Sequence, residues 1–180
     1  MNEHGTSYIV DSGTRREFET GAVRDMAEGK GRCDLLPLGV IGEHMKDNVL
    51  KCIAWFQKTG TTKWLWQSFR HFCNEEKLSE MEALLEVSHH YEDGLIKYGE
   101  RNWEKGIPLH SFIDSAVRHY LKHRLGETDE RHDRAFIWNI LGAMWTMENK
   151  PEMDDVTKKE EQLGERVLDP AKDHCKICGY

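Results

Sequence analysis

Two pairs of side chains in this sequence have the residue types and spacing that hold a hard metal ion. His89 and Glu92 stand three residues apart, as do Asp129 and His132, and residues three apart on a helix lie side by side. If the two helices pack antiparallel, four oxygen and nitrogen ligands converge. That set suits Mg²⁺ or Mn²⁺ with retained waters, imidazole leaning toward Mn²⁺. Around this point the sequence supplies Lys97, Arg101, Lys105 and Arg118, the cations a polyphosphate needs, and Trp103, a ring on which a base can stack. Asn102 beside it has the bidentate amide that pairs with adenine. On residue types and spacing alone, this is a divalent-metal site beside cations and a ring suited to a polyphosphate and a base. No Ser-His-Asp or Cys-His arrangement offers a covalent nucleophile.

Other chemistries fit less well. Seven residues separate Gly21 from Gly29-Lys30 and Gly31 follows, whereas a phosphate loop has four there and then Ser or Thr. The five cysteines, Cys33, Cys52, Cys73, Cys175 and Cys178, are odd in number and scattered, and read as reduced thiols. Cys175-Lys-Ile-Cys178 with His174 is half of a structural zinc site, a weak signal against that of a functionless tail. Adjacent His-Asp occurs only at His132-Asp133, a thin basis for an HD-type triphosphohydrolase. A nucleotide-binding module without catalysis would keep the cations and Trp103 and need no metal pair.

Composition narrows the class further. Lys and Arg total 25 against 32 Asp and Glu, a net charge of -7 over 180 residues. This argues against a polymeric nucleic acid as partner, since phosphate recognition normally shows as excess positive charge. No run approaches the roughly 20 apolar residues of a membrane span, and the N-terminus lacks a leader pattern, so the expected compartment is the cytoplasm.

The elements that must position these residues are helices, because apolar residues recur at helical spacing and alternating β-branched runs are almost absent. An all-α core is expected. Residues 1–19 read as a flexible N-terminus, 20–147 as a single domain, and 148–180 as a charged tail. A glycine-rich loop leads to a helix after Pro37. Residues 43–73 form one or two short helices broken at 59–62. A helix from about Glu75, capped by Asn74, is expected to bury Met81, Leu84, Ser88, Tyr91, Leu95 and Tyr98, with Glu92 inside that arc. The next begins near Ser111 and buries Phe112, Ile113, Ala116, Val117 and Tyr120. His119 on its border reads equally as a half-buried structural histidine. The last runs from Asp129 to about Met147, and its face bearing His132 and Asn139 over Ala135, Gly142 and Ala143 leaves room for a ligand or holds a hydrogen-bond network.

Four ordered blocks between residues 21 and 145 carry a resemblance. They are Gly21-Ala-Val-Arg24-Asp25 with Gly29-Lys30-Gly-Arg32-Cys-Asp34-Leu-Leu-Pro37; Tyr91-Glu92-Asp-Gly94 running to Lys97-Tyr-Gly-Glu-Arg101-Asn102-Trp103-Glu-Lys105-Gly106; Asp114-Ser-Ala-Val-Arg118-His119; and Asp129-Glu130-Arg131-His132 with Ala135 and Trp138-Asn139. The sequence resembles the dATP/dGTP diphosphohydrolase family of phages and bacteria, related to MazG-like all-α nucleoside triphosphate pyrophosphohydrolases. The resemblance implies a MazG-like helical bundle, with 43–73 a helical insertion relative to shorter members. It implies hydrolysis of purine deoxynucleoside triphosphates between the α- and β-phosphates, giving the monophosphate and pyrophosphate with a divalent metal, with Glu92 or Glu130 as ligand or general base, and with the host cytoplasm as compartment if the chain is phage-encoded. Arg24, Lys30, Arg32, Asp34, Asp114, His119 and Asn139 join the substrate-binding set on this basis, and a homo-oligomer is expected. The histidines His89 and His132 depart from the Glu-x-x-Glu and Glu-x-x-Asp pattern of the wider MazG-like group.

Overall fold

The helix-periodic segments become helices whose ends are set by capping chemistry. The computed structural model describes residues 13–157, with α1 (Leu38–Met45), α2 (Asn48–Thr59), α3 (Lys63–Glu76), α4 (Glu80–Tyr98), α5 (Leu109–Leu125) and α6 (His132–Asn149). Asp47 caps α2 by accepting from the Leu50 amide at 2.9 Å, and Gly60, with φ of 67°, ends it at the expected break. The helix expected from Glu75 starts later. Ser79 accepts from the Glu82 amide and the Glu82 carboxylate accepts from the Ser79 amide at 2.8 Å, a reciprocal capping box. Two satisfied amides define this start better than the single side chain of Asn74, which lies inside α3.

α6 sits at the centre and packs against α3, α4 and α5. Its apolar circumference explains why: Phe136, Ile140 and Ala143 are fully buried, with Ala135 and Ile137 nearly so. Residues 43–73 cover this core and add Val49, Leu50, Ile53, Phe56, Leu65, Phe69 and Phe72 to it, all without exposed surface. The Phe72 ring lies 4.7 Å from that of Phe136 and 6.3 Å from that of Tyr120. Burial of each such side chain contributes about 1.5–3 kcal/mol. The fold is an all-α bundle.

One small sheet departs from the expectation of an irregular start. β1 (Arg15–Glu17) pairs antiparallel with β2 (Val23–Asp25), Arg16 opposite Arg24. Asn102 fixes this hairpin on the bundle: its Oδ1 accepts from the Val23 amide at 2.9 Å and its Nδ2 donates to the Val23 carbonyl at 2.8 Å. A short 3-10 turn, Cys33–Leu35, is held by the Cys33 amide donating to Asp114 at 2.6 Å. The basic N-terminal loop therefore folds back over α5 within the same chain. At the other end, Asp155 accepts from the His110 amide at 2.8 Å, so the first residues of the expected tail are tied to the bundle. Residues 1–12 and 158–180, including Cys175 and Cys178, lie outside the described residues. Among the described residues no helix is long and apolar enough to cross a membrane.

Candidate active site

The orientation of α4 decides which of the expected ligands meet. Its inward face is set by Ala83 and Val87, both buried, and the same stripe continues through His90 and Gly94. The outward face carries Met81, Leu85, Leu95 and Ile96, all exposed. The expected buried arc is thus rotated by about one residue's turn. His89 and Glu92 point outward, their side chains 58% and 72% exposed and 3.9 Å apart. They do not converge with Asp129 and His132, and the four-ligand site anticipated from spacing is not formed within this chain. The cause is that apolar side chains at 81, 85, 95 and 96 imitate a packing face while facing solvent.

A different group converges between α5 and the start of α6. His119 Nδ1 lies 3.0 Å from His132 Nδ1 and 3.2 Å from Glu130 Oε1, and His132 Nδ1 lies 3.4 Å from the same oxygen. Ligands bonded at about 2.0–2.2 Å to one ion stand about 3.0–3.5 Å apart, so the triangle has the dimensions of one side of a coordination sphere. The second nitrogen of His132, Nε2, lies 2.7 Å from Asp129 Oδ1. A carboxylate on the far nitrogen fixes the ring and raises its basicity, the usual support of a metal-bound histidine. Asp129 therefore acts behind His132. A second acidic group, Glu127 with Asp129 and His132, is already neutralised by Lys122, at 2.9 Å from Glu127 and 3.2 Å from Asp129. Burial and the neighbouring His132, His90, Arg118 and Arg24 hold the His119 pKa well below its usual value, so its ring is neutral and free to offer a lone pair.

His119 and Glu130 line a cavity of about 400 Å³ together with Arg16, Arg24, Lys30, Arg118 and Lys122. Arg24 is wedged between the Phe112 and Trp138 rings at 5.1 and 5.5 Å. Its Nη2 donates to Asn139 at 2.8 Å and to Ser115 at 3.3 Å. Burial, then the charge of Arg16, lowers its pKa to about 10. Burial also lowers Arg16, with Arg32 and Arg118 adding to the shift. Cations crowded closely enough to depress one another favour a polyanion between them.

The remaining expected residues fall into distinct places. Asp114 and Asn139 line the cavity, Asp114 paired with Arg118, and Arg118 donates to the Gly31 carbonyl at 3.1 Å. Lys97 is turned to Asp25 at 2.7 Å. Arg32 and Asp34 form a bidentate pair at 2.7 Å that closes the 3-10 turn. Arg101 is exposed beside Glu104, and Lys105 approaches the Gly21 carbonyl at 3.5 Å. The bidentate edge of the Asn102 amide, which would pair with adenine, is taken by the backbone of Val23. Trp103 meets Tyr91 and Trp145 edge-on at 5.7 and 5.0 Å. Gly142 leaves no room for a ligand, because a Cβ there would lie 2.4 Å from the Phe112 ring. Sequence reasoning missed Arg16, His90 and Lys122. For His90 the signal was present, since Ala83, Val87, His90 and Gly94 share one helical stripe.

Residues 77–156 match the family model described as dATP/dGTP diphosphohydrolase, N-terminal. The matched segment is similar to that family. The matched segment contains α4, α5 and α6, hence His119, Glu130 and His132, while the hairpin with Arg16 and Arg24 precedes it. No curated protein and no solved structure matches the chain significantly.

Proposed function

We propose that this protein hydrolyses the purine deoxynucleoside triphosphates dATP and dGTP between the α- and β-phosphates, giving the monophosphate and pyrophosphate. The observation that carries this reading is the His119–Glu130–His132 triangle, whose His119 and Glu130 line the same cavity as Arg16, Arg24 and Arg118. Two imidazoles and a carboxylate suit Mn²⁺, with Mg²⁺ as the alternative. When bound, the ion would neutralise the triphosphate and acidify a water. Arg24 and Arg118 hold phosphate oxygens, Asp129 orients His132, and Glu130 offers the carboxylate that ligates or takes the proton of the attacking water. The family description supports the substrate class. An HD-type reading has less support, because Asp133 is held by Arg131 at 2.9 and 2.6 Å and does not line the cavity.

Glu130→Gln is expected to remove turnover and weaken Mn²⁺ binding, followed by electron paramagnetic resonance, at an unchanged melting temperature. Normal Mn²⁺ binding with normal turnover in this variant would sink the assignment. We also propose a homo-oligomer. The exposed apolar side chains of α4, Met81, Leu85, Leu95 and Ile96, support it.

A further inference from the structure

The basic cavity is one of two that meet at α4. The second, of about 440 Å³, is lined by the rings of Tyr91, Tyr98, Trp103 and Trp138 with Leu95. The two share Gly94, Tyr98, Asn102 and Trp138 as a common wall. Their chemistry differs: one gathers cations, the other aromatic faces. Tyr91 braces the second, 5.7 Å from Trp103 and 6.0 Å from Trp138.

Gly94 lies inside α4, where glycine costs roughly 1 kcal/mol relative to alanine. A Cβ built there meets nothing within 4 Å. No neighbour therefore requires the missing side chain, and the open space above this residue lies where the two cavities join. On the basic side of the same wall, Arg24 Nη1 is buried without a hydrogen-bond partner. A buried guanidinium N–H left unsatisfied costs more than an ordinary lost bond, and an anionic acceptor in the cavity would remove that cost.

The geometry points to Gly94 as the crossing over which a nucleoside triphosphate lies, its base in the aromatic cavity, its sugar against the bare helix backbone and its phosphates among the arginines. Arg24 Nη1 donates to a phosphate oxygen. This inference rests on the proposed function for the identity of the ligand. It adds how the base is selected. With Asn102 committed to Val23, the rings choose by stacking area, which favours purines and does not separate adenine from guanine.

Gly94→Leu places a side chain in the crossing while favouring the helix. Titration calorimetry of the full chain with Mg²⁺, using dGTP under conditions of slow turnover and inorganic tripolyphosphate as probes, tests the idea. Gly94→Leu is expected to weaken dGTP by at least about tenfold, the scale of one lost base-stacking contact, and to leave tripolyphosphate within about twofold, a change worth less than 0.5 kcal/mol. Should Gly94→Leu melt below the wild type, Gly94→Ala makes the same comparison with a smaller change. dGTP binding indifferent to both substitutions, or equal losses of dGTP and tripolyphosphate, would overturn the crossing and leave the proposed function standing. A wild type that binds neither probe would overturn both.

Discussion

His119, Glu130 and His132 meet through atoms 3.0 to 3.4 Å apart, and their meeting depends on α5 and α6 lying side by side. All three types were visible in the sequence, yet they were divided among different roles, because a pairing between helices has no spacing signature. One-residue errors matter most at this scale. His89 and His90 differ by about 100° on a helix, which separates an exposed imidazole from one inside the cavity. Burial first, then Arg24 and Arg134, lowers the His90 pKa to about 4, with Asp133 opposing and Lys97 reinforcing the shift. The unfolded chain, with an ordinary histidine near 6.5, then binds the proton more readily than the native state. This contribution to stability is therefore complete above about pH 6.5, falls with pH, and is lost below about pH 4. Denaturant melts at pH 7 and pH 5 should show a smaller loss for His90→Gln than for the wild type. Equal losses in both would mean that His90 titrates normally.

At the scale of elements, helix number and most boundaries followed from apolar periodicity and breaks such as residues 59–62, whereas facing did not. α4 has apolar residues on two sides, and periodicity cannot say which side the rest of the molecule covers. The hairpin was also illegible, because three-residue strands held by Asn102 have no alternating pattern to detect. Gly142 shows the same limit on α6: small residues near polar ones suggested a ligand space, and a ring fills it. A methyl group there would lie 2.4 and 2.9 Å from Phe112 atoms. Phe112 is fully buried and supports Arg24 from 5.1 Å, so it has little freedom to move. Gly142→Ala gains about 1 kcal/mol of helix propensity against an overpacking cost of about 1–3 kcal/mol, and a net loss of stability is expected. A raised melting temperature would show that the α5–α6 contact is looser than described.

The whole molecule combines a net charge of -7 with a cavity that gathers Arg16, Arg24, Lys30, Arg118 and Lys122. Acidic composition and a local basic basin suit a small polyanion better than a nucleic-acid polymer, which reads charge over a broad surface. The outward apolar side of α4 bears on assembly. Sedimentation at micromolar concentration is expected to give more than the monomer mass, and Leu85→Glu to reduce it. A monomer at all concentrations with full activity would contradict the oligomer. The proposed activity is defined by the bond that is cut. Separation of the products formed from dATP and dGTP with Mn²⁺ or Mg²⁺ tests it most directly: the deoxynucleoside monophosphate and pyrophosphate are expected in equal amounts, whereas the deoxynucleoside with tripolyphosphate, or binding without turnover, would contradict it.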